Sequence, residues 1–346
     1  MSKRIVLCCD GTWNTAGQRC PTNVIKFHDL VAPRGSDGTE QLALYHPGVG
    51  TTAWQRLAGG AFGVGLSAVV RAAYTFLVES YEVGDELFLL GFSRGAFTAR
   101  STAGLIRNAG ILRRDQIQRV DEAYALYRNH EPADAPDAKQ FRHDYAASDS
   151  TPIRFIGVWD TVGSLGVPDV GIPGVNLLNR RWQFHDVKLS GTVRSAYQAL
   201  AIDESRRPFL PTLWEPDGDV PGQHVEQVWF AGVHCDVGGG YPERELADIT
   251  LAWMIEKAGE CGLAFTAAPT SIPVADAVGK LHDSRTGLYK LTPAAHRTLG
   301  RSDPDHEAVA STAVVRHERG SYEPGCLTEY LGQSGHHECA IATAPA

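Results

Sequence analysis

No stretch of the 346-residue sequence approaches the roughly 20 consecutive apolar residues of a membrane-spanning helix, which argues against an integral membrane protein. The apolar run behind Lys3 and Arg4 is also too short for the core of a secretory signal peptide, so export by the Sec route is not expected. We therefore expect a cytoplasmic protein, and export through another secretion machinery stays open.

Positive charge is in short supply. The chain has 32 Lys and Arg against 40 Asp and Glu, a formal net charge of −8. Nucleic-acid binding needs a basic surface for the phosphates, so a nucleic-acid partner is not expected. The same balance does not favour electrostatic anchoring to a membrane, although transient contact with lipid stays open.

Paired cysteines are missing too. The seven cysteines are odd in number and include no C-x-x-C pair, which predicts reduced thiols and no structural zinc site. The glycine triplet at 238–240 lacks the spacing of a dinucleotide-binding loop. We expect no cofactor and no metal.

Apolar runs do alternate with helical patterns along the chain, and glycine clusters follow many of them. This alternation predicts an α/β fold with a mostly parallel central sheet covered by helices on both faces. Such sheets bind ligands at the carboxyl ends of their strands. The predicted strands are 5–9, 42–45, 86–90, 153–159 and 225–233, and the predicted helices are 66–81, 97–109, 114–127, 193–202 and 246–258.

Two stretches do not follow the alternation. Residues 161–190 mix glycine and proline with apolar side chains, and we interpret them as a loop over the strand ends that could form a cap. Residues 265–346 are rich in Ala, Pro, Gly and His. The sequence therefore predicts an α/β core over 1–264 and a C-terminal extension over 265–346 that packs on the core or is partly loose.

The pentapeptide Gly91-Phe92-Ser93-Arg94-Gly95 stands between a predicted strand and a predicted helix. This is the context of a nucleophile elbow, in which a serine sits on a tight strand-to-helix turn. The flanking glycines allow the backbone segments to approach closely. Ser93 is therefore the candidate nucleophile.

A serine nucleophile needs a base and an acid, which in this fold follow in the order Ser, acid, His. Asp160 ends the next clean strand, and His234 ends the one after. The alternatives are that Asp160 only shapes a turn and that His234 is a hydrogen-bonded loop histidine. Asp236, two residues beyond His234, competes with Asp160 as the acid.

The first strand runs into Asp10-Gly11-Thr12-Trp13-Asn14. A loop after an early strand commonly supplies one oxyanion donor, and the residue after the nucleophile supplies the other. We therefore expect the oxyanion hole to use the N–H of Arg94 with that of Gly11 or Thr12. A simple tight turn at Asp10 is the alternative.

Three residues near these loops have less specific roles: Asp10, Trp13 and Asp236 are predicted to contact substrate or to shape the site. An aspartyl-phosphate mechanism is excluded because Cys8 stands where its first aspartate would be. A metal site made from Asp10, His234 and Asp236 lacks any recognisable ligand spacing.

Taken together, these motifs resemble a known family: the α/β-hydrolase domain of unknown function typified by bacterial type VI secretion phospholipase effectors. The resemblance covers most of residues 4–260. It implies an esterase fold and a triad of Ser93, Asp160 and His234. The stretches that carry it are 5–14, 45–51, 91–96, 157–163, 203–214 and 230–241.

The sequence thus predicts a serine hydrolase that cleaves a carboxylic ester through an acyl-enzyme, with a lipid or phospholipid as one candidate substrate. A thioester, amide or phosphoester substrate stays open, as do the protein partners and the oligomeric state. The alternative function is a catalytically silent binding or scaffold protein that keeps the hydrolase fold.

Overall fold

A computed structural model describes residues 2–11, 14–15, 17–48, 62–129, 132–163, 188–215, 218, 220–267, 277–320 and 322–342. Most of the predicted cap, 161–190, lies outside them, as do Thr12 and Trp13. No helix within the described ranges is long and apolar enough to cross a bilayer.

One eight-stranded sheet organises the described residues, and every neighbouring pair of strands in it is parallel. Its order is β2-β1-β3-β4-β5-β6-β7-β8. The strands are β1 Arg4–Cys9, β2 Gln41–His46, β3 Glu86–Phe92, β4 Ile153–Trp159, β5 Ser195–Ala201, β6 His224–Phe230, β7 Glu307–Ala310 and β8 Glu338–Cys339. The prediction of an α/β-hydrolase fold with a largely parallel sheet is confirmed.

Helices cover both faces of this sheet. The α-helices are α1 Asn23–Leu30, α2 Phe62–Ser80, α3 Arg94–Ala109, α4 Val120–Arg128, α5 Pro136–Tyr145, α6 His234–Gly238, α7 Glu245–Glu260, α8 Ser311–Glu318 and α9 Gly325–Leu331. Short 3₁₀ helices span Arg114–Arg119, Arg207–Phe209 and Gly287–Leu291.

The central strands are mostly apolar because they are buried on both sides. In β1, Ile5 and Leu7 face a core shared with α2 and α3. Val6 and Cys8 face the opposite core, which is shared with α1 and α7. This alternation along one strand follows from the two-residue period of strand side chains. Packing on both faces holds the ends of the strands in fixed positions, where they can support a site.

The helix predicted over 193–202 is wrong, because this segment forms β5. Its sequence, SAYQALA, is rich in good helix formers, so local propensity favoured the helix. In the fold, β5 pairs on one side with β4 and on the other with β6, and six of its seven residues are buried. Tertiary packing overrides the local preference here.

The predicted helix over 114–127 also divides into a 3₁₀ turn and α4.

The region beyond residue 264 contributes strands to the same sheet. β7 pairs with β6, and β8 pairs with β7. The buried Glu307 on β7 anchors the preceding loop, because its carboxylate accepts hydrogen bonds from the Trp229 indole and from the N–H groups of Gly300, Ser302 and Asp303, all within 2.8–3.0 Å.

We predict that Glu307→Ala lowers the free energy of unfolding by about 3 kcal/mol or more, because each buried hydrogen bond to a charged group contributes about 1.5–3 kcal/mol. Urea denaturation of the purified variant measures this loss. The control is Glu318→Ala at the exposed end of α8, for which we expect a change within about 0.5 kcal/mol. Equal effects of the two substitutions would contradict the anchoring role.

Candidate active site

Ser93 occupies a sharp turn between β3 and α3. Its backbone has φ 58° and ψ −120°, a conformation that L-residues with a side chain rarely adopt. Such strain is held only where the surrounding structure enforces it, and it is concentrated at functional sites. The turn directs a hydroxyl-bearing residue to the carboxyl edge of the sheet, at the first turn of a helix.

Close packing explains the two glycines of this turn. A Cβ on Gly95 would lie 2.0 Å from the carbonyl oxygen of Cys9 at the end of β1. A Cβ on Gly91 would lie 2.4 Å from the carbonyl oxygen of Gly95. Both contacts are with backbone atoms, which cannot move aside as a flexible side chain can. The motif is therefore required by the approach of α3 to β1.

Asp160 and His234 meet at the same edge of the sheet. Asp160 directly follows β4, and His234 begins α6 after β6. Nδ1 of His234 lies 2.6 Å from Oδ2 of Asp160, and both side chains are almost fully buried. The N–H of Ala201 at the end of β5 donates to Oδ1 of Asp160 at 3.1 Å. Like Ser93, Asp160 has a positive φ, here 39°.

Ser93 belongs to the same neighbourhood. Its N–H donates to the carbonyl oxygen of Trp159, the residue before Asp160, at 3.0 Å. The ring of the preceding Phe92 packs against the His234 imidazole, with centroids 4.6 Å apart. The ends of β3, β4 and β6 therefore bring these side chains into one region, as parallel strands should.

A buried arginine that the sequence analysis did not identify completes this cluster. The Arg297 guanidinium donates to both carboxylate oxygens of Asp160, with Nη1–Oδ1 at 2.5 Å and Nη2–Oδ2 at 2.9 Å. Burial alone would raise the pKa of Asp160. The Arg297 charge, together with hydrogen bonds from His234 and Arg297, outweighs burial and holds that pKa well below its usual range.

Aromatic and charged groups pack around His234. The Phe209 ring meets the imidazole edge to face at 4.9 Å, and Tyr289 lies beside Phe209 at 6.3 Å. The Arg206 guanidinium stacks on Phe209 at 3.6 Å and pairs with the buried Glu204. This layer limits the access of water to the imidazole.

The loop after β1 approaches the serine closely. A Cβ on Gly11 would lie 3.3 Å from Cβ of Ser93. Asp10 is buried beneath the loop and accepts hydrogen bonds from the hydroxyls of Thr22 and Tyr45. Burial raises the pKa of Asp10 above its usual value, although these hydrogen bonds oppose the shift.

The Gly11 N–H is not available as an oxyanion donor in this arrangement. It donates to Oδ1 of Asp10 at 2.6 Å, so its single proton is already committed. The expectation that Gly11 or Thr12 supplies the second donor stays a prediction, and the Asp10 carboxylate bonds to its own loop here. Thr12 and Trp13 lie outside the described residues.

Asp236 contacts a different histidine from the one proposed as the base. Its Oδ1 lies 2.6 Å from Nδ1 of His282, and its Oδ2 accepts the N–H of Val233 at 3.0 Å. Tyr241 stacks on the His282 ring with centroids 3.9 Å apart. The carboxylate therefore holds the start of α6 to the chain around residue 282. Sequence reasoning missed His282 because no motif surrounds it.

No group of three or more His, Cys, Asp or Glu side chains suited to a metal ion occurs in the described part of the chain. The three residues weighed as a metal set are committed elsewhere. Asp10 bonds to its own loop, His234 bonds to Asp160, and Asp236 bonds to His282.

We predict that Gly95→Ala lowers the free energy of unfolding by more than about 3 kcal/mol, since overpacking against rigid atoms commonly costs about 1–3 kcal/mol and this contact is with backbone. Thermal and urea unfolding of the purified protein measure the loss. Gly259→Ala is the matched control in a helix. A Cβ there meets nothing within 4 Å, so this variant should be unchanged or more stable by up to about 1 kcal/mol. A Gly95→Ala protein of wild-type stability would contradict the packing argument.

Similar proteins are found among solved structures. An uncharacterized protein from Pseudomonas aeruginosa aligns over 76% of this chain and 46% of its own, with 19% identity and a TM-score of 0.44. The Tle1 effector bound to the VgrG spike of the type VI secretion system aligns over 84% and 78%, with 16% identity and a TM-score of 0.44. A putative carboxylesterase from Lactobacillus plantarum gives 13% identity and a TM-score of 0.32, over 76% and 86%.

Comparison of the sequence itself finds a curated relative and a family model. The uncharacterized protein YEL023C of Saccharomyces cerevisiae is 28% identical over 242 residues, which is 63% of this chain. The chain spans about a third, 34%, of the length of that curated relative. The sequence model of one family, the catalytic domain of Tle1-like phospholipase effectors of type VI secretion, matches residues 3–257. The resemblance inferred from the motifs is confirmed, and the chain belongs to the Tle1-like phospholipase effector catalytic domain family.

Proposed function

We propose that this protein is a serine hydrolase of lipid carboxylic esters, with Ser93 as nucleophile, His234 as base and Asp160 as the acid that orients it. The observation that carries the proposal is the buried 2.6 Å contact between Nδ1 of His234 and Oδ2 of Asp160, beside a serine on a strained elbow. A buried carboxylate fixes the tautomer of the imidazole and stabilises its charged form. Membership of a phospholipase effector family supports the lipid ester as substrate.

The proposed reaction has two halves. Oγ of Ser93 attacks the ester carbonyl carbon while Nε2 of His234 takes the hydroxyl proton, which gives a tetrahedral oxyanion. The imidazolium then returns the proton to the leaving alkoxide, the C–O bond breaks, and an acyl-serine and an alcohol result. Water, activated by the same imidazole, releases the carboxylic acid and restores Ser93.

The oxyanion would be stabilised by backbone N–H groups. That of Arg94 stands at the first position of α3, where the helix dipole favours negative charge. The second donor we assign to Thr12, because the Gly11 N–H already bonds to Asp10. These donors act where charge develops in the transition state.

Apolar side chains near His234 support a lipid substrate. Leu291 is 84% exposed and Leu210 is 43% exposed. Leu210 directly follows the 3₁₀ segment that carries Phe209, and Leu291 ends the one that carries Tyr289. The Phe209 ring lies against His234, and the Tyr289 ring lies against Phe209. Exposed apolar residues next to a site are suited to contact with acyl chains or a lipid surface. Cytoplasmic residence and export by a type VI machinery both stay predictions.

The competing function is a hydrolase-fold binding protein without activity. The two functions differ in the reactivity of Ser93, because only an assembled triad makes a serine hydroxyl strongly nucleophilic. A fluorophosphonate probe, with the labelled peptide located by mass spectrometry, measures this directly. A folded wild-type protein without label at Ser93 would favour the binding protein.

We predict that Ser93→Ala abolishes labelling and ester hydrolysis while unfolding remains as in the wild type. Asp160→Asn should lower kcat by about 10³–10⁴-fold, because the amide favours the wrong imidazole tautomer. The matched comparison is Asp236→Asn, which removes a carboxylate from the contact with His282. A large loss in Asp236→Asn alone, with Asp160→Asn near the wild-type rate, would transfer the role of the acid to Asp236.

We also predict that Leu291→Asn lowers the rate on long-chain phospholipid vesicles about tenfold and leaves the rate on a short soluble ester nearly unchanged, since about 1–2 kcal/mol of apolar contact is lost only at a lipid surface. The control is Val83→Asn, a 68% exposed residue just before β3, at the amino ends of the strands and away from the site. Equal losses on both substrates, or an equal loss in the control, would contradict a lipid-facing role for Leu291.

A further inference from the structure

We propose that Arg297 is a positioning residue for the catalytic acid: its guanidinium clamps the Asp160 carboxylate toward His234 and balances its buried charge. The inference rests on the proposed function, since it assigns a role within the same triad. Arg297 lies beyond residue 257, where the family match ends. The C-terminal region would thus complete the active site.

Both terminal nitrogens of Arg297 are fully hydrogen-bonded. Nη1 donates to Oδ1 of Asp160 at 2.5 Å and to the carbonyl oxygen of Ala201 at 2.7 Å. Nη2 donates to Oδ2 of Asp160 at 2.9 Å and to the carbonyl oxygen of Phe209 at 2.7 Å. Each terminal nitrogen has two protons, so all four are used. Arg297 therefore joins the acid, the end of β5 and the segment that carries Phe209.

This last contact links Arg297 to the base as well as to the acid. The Phe209 ring lies against the His234 imidazole at 4.9 Å, and the Phe92 ring also contacts this imidazole, at 4.6 Å. The chain before Arg297 is itself fixed, because the N–H of Ala295 donates to the carbonyl oxygen of Ser205 at 2.8 Å. A rigid guanidinium on a rigid segment can fix the orientation of both members of the dyad.

Charge gives Arg297 a second effect. Asp160 and Arg297 are both essentially inaccessible to solvent, with side-chain exposures of 0% and 1%. A buried carboxylate needs a cationic or multiply hydrogen-bonded environment to stay ionised. Removing the guanidinium would leave a buried negative charge without its cation. Asp160 would then bind a proton at higher pH than before, because the Arg297 charge is one of the causes that hold its pKa down.

Other charged or titratable groups face the pair, and all of them remain present when Arg297 is replaced. Glu204 accepts the His234 N–H at 3.3 Å and is neutralised by Arg206. Cys235 follows His234 and interacts electrostatically with Asp160, while Cys326 interacts with Arg297. Asp203 accepts the N–H of Gly232, near the end of β6. A shift seen on replacing Arg297 therefore belongs to Arg297.

The experiment compares Arg297→Gln with Arg297→Lys by the rate of fluorophosphonate labelling of Ser93 across pH 4–9. The labelling rate should decline toward low pH, and we call this decline the acid limb. In Arg297→Gln, the pH at its midpoint should rise by about 1 unit or more, because a nearby opposite charge typically shifts a carboxyl pKa by about 1–3 units. In Arg297→Lys, the limb should stay within about 0.3 units of wild type. Its plateau rate should fall about tenfold, because an ammonium cannot bond both carboxylate oxygens in a fixed fork.

The control is Arg316→Gln. This arginine also belongs to the C-terminal region, but it donates to the carbonyl oxygens of Ala277 and Gly279 rather than to Asp160. Its acid limb should match wild type, so a general loss of stability cannot imitate the expected result. Circular dichroism and thermal unfolding establish that each variant is folded.

The outcomes separate this inference from the proposed function. A wild-type protein that is not labelled at Ser93 at any pH refutes the triad itself. Normal wild-type labelling, with a folded Arg297→Gln variant whose acid limb is unmoved, refutes only the role of Arg297. Should Arg297→Gln not fold, Arg297→Lys decides alone. A wild-type plateau rate there, or an acid limb displaced by a full unit, overturns the proposal.

Discussion

The burial of one carboxylate is the constraint on which the rest of the site depends. Asp160 has no solvent exposure, yet its charge must be balanced, because an unpaired buried carboxylate is strongly destabilising. Its partners come from three separate parts of the chain: His234 after β6, the N–H of Ala201 on β5, and Arg297 in the C-terminal region. Satisfying this single charge therefore joins the carboxyl ends of β4, β5 and β6 and connects the region beyond residue 264 to them. The same contacts hold the histidine in one orientation.

A second constraint, steric rather than electrostatic, fixes the serine. The elbow is possible only because Gly95 lets α3 approach the carbonyl oxygen of Cys9, and this approach determines where Ser93 stands relative to the loop after β1. Asp10 in turn holds that loop through the hydroxyls of Thr22 and Tyr45. Backbone strain at Ser93 and Asp160 is compatible with a stable fold because the surrounding sheet is rigid and buried on both faces. The packing that makes the sheet rigid is therefore also what holds Ser93 and Asp160 in their strained conformations.

What could be predicted from the sequence is what depends on neighbouring residues. The elbow motif, the buried strands around it and the positions of Asp160 and His234 at strand ends all have local signals. β5 was mistaken for a helix because its alanines, leucine and glutamine favour a helix until the flanking strands are considered. Arg297 and His282 had no signal at all, since each acts through a contact with a residue distant in sequence. The commitment of the Gly11 N–H to Asp10 was equally invisible, because it depends on the exact conformation of one turn.

Two aspartate–histidine pairs with the same short distance show why residue type alone does not identify an active site. In both, a carboxylate oxygen lies 2.6 Å from an imidazole Nδ1. Asp236 also accepts the N–H of Val233 at the start of α6, and its histidine reaches a second carboxylate, Glu243, at 3.3 Å. That histidine therefore lies between two acids, and its contacts hold the loop around residue 282 to the start of α6. His234 instead lies against a carboxylate whose charge is already balanced by the buried guanidinium of Arg297. The two pairs share a distance and differ in what surrounds the carboxylate, so the environment of the acid, and not the pairing itself, distinguishes one from the other.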